Sequence, residues 1–315
     1  MSFSKRVKEE LLTISMTRVE QISFLSAYLR NNGIVTENSI IIETDNQNIS
    51  NFIFNLLNDM YNVRPKITVR KKYNFKNSYT YILEIKLKKD EILKELSLVN
   101  NSGYFINIPR DYIYEGDGEK IAYLKGLFLS SSSISDPKSS TYHLEFSLDD
   151  YEYSVFVCEL LDSFSLNSKL IERKNNFVVY IKEGEKIGDF LRIMKANKAV
   201  MYFEDVRIQK DYMNMVNRLN NCEQANIEKT FNTARRQLKD IEIIEKYLTK
   251  DMLDPKIIEI IEYRKKYNEA SLLELSELIS NDSNKKVTKS GINHRFRKLK
   301  EIADKLRRHE KTNKH

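Results

Sequence analysis

The chain has 315 residues, 41% of them apolar, and a formal charge of +7, enough length to bury more than one core. No apolar run approaches the ~18 to 20 residues that span a bilayer, and Met1 to Glu10 is too charged for a secretory signal, so a cytoplasmic protein without a membrane partner is expected. Cys158 and Cys222 have no metal-ligand spacing and His143, His294, His309 and His315 add none, so no metal or cofactor is expected.

In chain order, the first informative segment is SFLSAYLRNNG at 23 to 33, which recurs 99 positions later as AYLKGLFLSSS at 122 to 132. In register, Phe24 matches Tyr123, Leu25 matches Leu124, Ala27 matches Gly126, Tyr28 matches Leu127 and Leu29 matches Phe128. Two apolar helices with Ala and Gly at one point suit close packing on each other, since a missing side chain lets the backbones approach.

The segments beyond each copy repeat as well. After the first come a strand at Ile40 to Glu43, an amphipathic helix at Ile49 to Tyr61, strands at Arg64 to Lys72 and Tyr81 to Leu87, and a helix at Ile92 to Leu98. After the second come Tyr142 to Phe146, Tyr151 to Phe164, Lys169 to Arg173, Phe177 to Ile181 and Ile187 to Met194. The expectation is an α+β fold of two pseudo-symmetric αββαββα halves over residues 1–205. Arg64, Lys66, Thr68 and Arg70 alternate with Pro65, Ile67 and Val69, giving one strand a basic face. Such a face can lie on nucleic acid, or it can keep an edge strand from pairing with another chain.

These helices and halves resemble the LAGLIDADG homing endonucleases, whose signature helices each end in an acid that holds the catalytic divalent metal. This chain has Asn32 and Ser131 there. Neutral groups at both positions remove the negative charge that holds a hard cation and helps to activate water. The resemblance therefore implies the fold without the nuclease. The enzymatic alternative, a LAGLIDADG nuclease or maturase, would need other acids such as Asp136 or Glu145 beyond the signature helix.

From about Val206 to Lys250 the chain reads as a helical linker, with Ile227, Phe231, Ala234, Leu238, Ile241 and Ile244 at near-helical spacing. Asp254 and Pro255 then restart it as a cap and first-turn proline, opening an all-α region over 251–310 whose first helix contains Ile257 to Tyr263. Ser271 caps a short helix carrying Leu272, Leu275, Leu278 and Ile279, the run Asn281 to Asn284 reads as a turn, and Thr288 caps a second helix to about Leu306. Only His309 onward reads as a tail.

At 100° per residue, Ile292, Phe296, Leu299, Ala303 and Leu306 share one face of that second helix. Ser290, His294, Arg297 and Glu301 lie opposite, with Asn293 and Lys298 on the flanks. Short hydrogen-bonding residues succeeded by cations suit a recognition helix entering a major groove by its N-terminal half. Asn293 can pair both edges of an adenine and Arg297 both acceptors of a guanine; Lys289, Arg295 and Lys298 suit phosphates. Residues 285 to 315 hold twelve Lys or Arg against three Asp or Glu, so the other 284 residues are slightly acidic despite the total of +7. A plain basic surface helix could carry such charges, but the capped partner helix and turn would then be coincidental.

NRLNNCEQANIEKTFNTARRQL at 217 to 238, EASLLELSEL at 269 to 278, VTKSGINHRFRKLKEIADKL at 287 to 306 and GLFLSSSSISDPKSSTYHLEF at 126 to 146 together resemble WhiA, a bacterial regulator family that joins a degenerate LAGLIDADG-type domain to a helix-turn-helix. Ser130 to Ser133 depart from the small, glycine-rich residues expected after the second signature helix. The resemblance covers nearly the whole chain in order. It implies a non-enzymatic, sequence-specific protein on double-stranded DNA, hence nucleoid association, with roles in transcription control, cell division and chromosome segregation, and sporulation in relatives that sporulate. A transcription regulator or RNA polymerase component as a further partner, with the amino-terminal domain as a scaffold, is the remaining expectation.

Overall fold

The structure is a computed structural model that describes residues 1–71, 79–174, 176–283 and 285–312, with side chains as far as His309. Lys72, at the end of one expected strand, Asn284, in the expected turn, and His315 lie outside the described residues. The chain divides into two units, Met1–Asp211 and Tyr212–His315.

In the first unit, α1 (Phe3–Leu11) precedes the signature helices α2 (Arg18–Asn32) and α5 (Asp117–Ser131). Helix α2 starts where it does because Thr17 and Glu20 form a reciprocal capping box: the Glu20 carboxylate accepts from the Thr17 amide at 2.7 Å and the Thr17 hydroxyl from the Glu20 amide at 3.4 Å. Ser23 through Leu29 of α2 and Ala122 through Leu129 of α5 are buried all round, as befits helices with protein on every side. At their crossing, a Cβ placed on Gly126 would lie 2.1 Å from the Phe24 carbonyl oxygen and 3.1 Å from the Ala27 Cβ. The paired small residues therefore set the approach of the two helices.

After α2 the chain forms β1 (Gly33–Val35), β2 (Ile40–Thr44), α3 (Gln47–Tyr61), β3 (Lys66–Lys71), β4 (Tyr79–Ile85) and α4 (Lys89–Glu95). After α5 it forms β5 (Ser132–Ile134), β6 (Leu144–Leu148), α6 (Tyr151–Asp162), β7 (Lys169–Arg173), β8 (Asn176–Ile181) and α7 (Gly184–Ile193). This is the expected αββαββα order, twice. The antiparallel sheets run β1-β2-β4-β3 and β5-β6-β8-β7, and their registers bring Ile42 opposite Leu83 and Phe146 opposite Val179 on the buried faces. The two halves feed separate cores that meet at the signature helices, Phe24 and Leu25 in one and Ala27 and Tyr123 in the other.

Among the described residues, the segments read from the sequence did not include β1 and β5, three residues each, or α1. Phe3, Val7 and Leu11 place a buried stripe on α1, packed on the core of the second half. The basic strand β3 is exposed along its length and lies at the edge of its sheet, where cations discourage pairing with another chain.

Helix α8 (Asn197–Tyr247) runs unbroken for 51 residues. It starts before the linker expected from Val206, and the expected boundary after residue 205 falls inside it. Ala234, Ile241 and Ile244 are buried, whereas Ile227 and Phe231 are exposed, so only the later part of the expected apolar stripe packs. The second unit continues with α9 (Pro255–Lys266), α10 (Leu272–Ser283) and α11 (Lys289–Thr312). Asn281 to Ser283, expected in a turn, complete α10, and α11 continues through the expected tail to Thr312.

Candidate nucleic-acid interface

Helices α9 to α11 are fixed at their starts by short polar side chains. The Asp254 carboxylate accepts from the Lys256 amide at 2.8 Å ahead of Pro255. Ser271 and Glu274 form a second reciprocal box: the Glu274 carboxylate accepts from the Ser271 amide at 2.6 Å and the Ser271 hydroxyl from the Glu274 amide at 3.2 Å. These bonds hold the Glu274 carboxyl below its ordinary pKa. The Thr288 hydroxyl accepts from the Gly291 amide at 3.2 Å and opens α11. Between α10 and α11 the Ser280 hydroxyl accepts from the Val287 amide at 2.9 Å, which closes the turn.

The apolar faces converge on Ile257, Ile260 and Ile261 of α9, Leu275 and Ile279 of α10, and Ile292, Phe296, Leu299 and Ala303 of α11, all buried with Ile241 and Ile244 of α8. Leu306 packs against them, partly buried. A buried arginine braces this core. Arg264, 1% exposed, donates from Nη1 to the carbonyls of Ala270 at 2.6 Å and Tyr267 at 3.2 Å. Its guanidinium also lies 5.3 Å from the centre of the Phe296 ring. Burial pulls its pKa down to about 10, which leaves it charged at neutral pH. Sequence reasoning missed Arg264; its one signal was a cation inside the apolar spacing of α9.

Packing of the apolar face turns the opposite side of α11 outward. Lys289, Ser290, Asn293, His294, Arg297 and Lys298 are all exposed, and none makes a side-chain hydrogen bond or ion pair among the described residues. Arg295 differs from its sequence expectation. Its guanidinium, 16% exposed, pairs with the Glu259 carboxylate of α9 and ties the two helices together. That partner takes the charge expected to meet phosphate.

In the first unit, the ends of the signature helices are engaged within the protein. Asn32 Nδ2 donates to the Glu43 carbonyl at 2.8 Å and to the Tyr28 hydroxyl at 3.1 Å. The Ser131 hydroxyl donates to the Leu127 carbonyl at 3.3 Å. Nearby, Lys8 Nζ donates to the Leu129 carbonyl at 3.2 Å near the C-terminal end of α5, where a cation suits the helix dipole; burial lowers its pKa to about 8. Asp136 accepts from the Lys138 amide at 2.9 Å and the Tyr202 hydroxyl at 3.4 Å. Glu145 meets the Ser133 hydroxyl at 3.1 Å and His143 at 3.0 Å. Among the described residues no three His, Cys, Asp or Glu side chains gather as metal ligands, and no helix is long and apolar enough to cross a membrane.

Comparison with known proteins agrees with this arrangement. Three family models match: a WhiA N-terminal LAGLIDADG-like domain over residues 18–99, a WhiA LAGLIDADG-like domain over 120–214 and a WhiA C-terminal helix-turn-helix domain over 216–303. Proteins from Bacillus mycoides and Bacillus cytotoxicus, each described as a probable cell division protein WhiA, are 41% identical over 98% of this chain and of their own length. The crystal structure of full-length DUF199/WhiA from Thermatoga maritima shares the fold at a TM-score of 0.58 and 24% identity, covering 97% of this chain and 99% of that one. With both signature helices, both sheets and the terminal helix-turn-helix matched in order, the chain belongs to the WhiA family.

Proposed function

We propose that the chain is a sequence-specific DNA-binding protein that regulates transcription in cell division and does not cut DNA. The observation that carries this reading is the N-terminal half of α11, a capped helix whose outward side chains have no polar partner among the described residues and run from short hydrogen-bonding groups to cations. Asn293 and Arg297 read base edges, with Ser290 and His294 beside them, while Lys289 and Lys298 meet phosphates. Arg295 acts indirectly, by holding α11 against α9.

Several observations support a function without cleavage. Asn32 and Ser131 use their polar atoms on carbonyl groups of the protein, and the alternative acids Asp136 and Glu145 are hydrogen-bonded elsewhere. The two sheets serve as a scaffold for a protein partner such as a regulator or an RNA polymerase component. The description of the Bacillus relatives supports the cell-division role; chromosome segregation belongs to the same reading, as does sporulation in a host that sporulates, with the protein at the nucleoid.

Arg297→Ala tests the reading. A base-reading arginine should lose roughly 1–3 kcal/mol of binding and relax preference at one position, measured by competition between the preferred duplex and its single-base variants. Equal weakening on every sequence would mean an electrostatic anchor.

A further inference from the structure

Within the second unit, a cleft of about 370 Å3 lies between the later turns of α8 and the outer side of α11. Arg236, Gln237 and Lys239 line it from α8, Arg297 and Lys300 from α11, and Phe296 gives it an apolar wall. Its volume falls in the range of small-ligand sites.

The charge inside is one-sided. Arg307, also at the cleft, is neutralised by Asp240 at 2.5 Å and Asp304 at 2.8 Å. Among the described residues, Arg236 donates only to the Asn232 carbonyl of its own helix, at 3.2 Å. Among the described residues, Arg236, Lys239, Arg297 and Lys300 have no carboxylate partner. Four unbalanced cations around a small volume repel one another and favour an anion between them.

We propose that the α8–α11 cleft is a phosphate-binding site, with Arg236, Lys239 and Lys300 on the phosphate and Arg297 beside them. Two sources share that chemistry: a mononucleotide free in solution, and a strand of the duplex held by α11. The second source rests on the DNA-reading proposal, whereas the first does not. Arg297 lines the cleft and is also the assigned base reader, so a free nucleotide bound there lowers affinity for duplex, and duplex lowers affinity for the nucleotide in the same proportion.

The test uses the full chain and the double variant Arg236→Gln, Lys239→Gln, both at exposed positions of α8, with Lys300→Gln as a second variant on the opposite wall. Thermal unfolding is measured with AMP, GMP and inorganic phosphate, and duplex binding by anisotropy across a salt series. With a free nucleotide as the source, AMP or GMP raises Tm of the unsubstituted chain and weakens its duplex binding, and the variants lose both effects. With the strand as the source, no nucleotide acts, and the double variant's slope of log affinity against log salt is shallower by about 2, one unit for each lost phosphate contact. Variants that respond to nucleotides like the unsubstituted chain, or that leave the salt slope unchanged when no nucleotide acts, overturn the proposal. If the unsubstituted chain binds no duplex, the DNA reading fails and the nucleotide measurements alone decide the cleft.

Discussion

Arg264 shows how one side chain holds α11 in place. It joins two carbonyls of the segment leading into α10 to the face of Phe296 on α11, so the backbone of one helix entrance is tied to the core of the next. A lysine cannot reproduce the planar fork. Arg264→Lys should lower stability by about 1–3 kcal/mol, the cost of leaving a buried acceptor unsatisfied, as measured by urea unfolding; an unchanged midpoint would show that the brace carries no stability. Lys8 gives a pH-dependent case. Burial lowers its folded pKa to about 8 from an ordinary 10.5, so above about pH 8 the unfolded chain binds more protons than the folded one. Its contribution is therefore least favourable below pH 8, and stability should rise with pH from about 8 to 10.5 relative to Lys8→Met. A constant difference between the two proteins across that window would contradict the burial of the ammonium.

At the scale of elements, the signature helices depend on close backbone approach. Because a Cβ at Gly126 would meet the backbone carbonyl of Phe24, Gly126→Val must push α2 and α5 apart, and should cost about 3 kcal/mol, at the upper end for overpacking; denaturant melts of the two proteins measure it. The pairing of Ala27 with Gly126 is legible in the sequence because both copies of the motif align without gaps. Caps at Asp254, Ser271 and Thr288 are legible because a polar side chain directly before an apolar period is a local signal. Strands β1 and β5 are not, since three residues are too few for an alternation to stand out. Helix α1 is obscured by its charges although Phe3, Val7 and Leu11 carry the period. The end of α10 departs from expectation because Asn281, Asp282 and Ser283 favour turns locally, while tertiary contacts such as the Tyr263 hydroxyl on the Asp282 carboxylate, at 2.6 Å, hold the last turn. The outward face of α11 comes from periodicity alone; the capture of Arg295 by Glu259 does not, because it joins side chains 36 positions apart.

In the whole molecule, basicity and the neutral ends of the signature helices lie in different units. The second unit contains the charge-rich α11, whereas the first, with its two LAGLIDADG-like halves, has the neutral, hydrogen-bonded Asn32 and Ser131 at the ends of its signature helices. A fold of this kind does not itself specify cutting. The most direct measurement is incubation of the full-length protein with a random-duplex pool and Mg²⁺, scoring retardation, enriched sequence and strand length in the same sample. A non-cutting reader should enrich one motif on strands of unchanged length. Shortened strands, or retardation with no enriched motif, would contradict it.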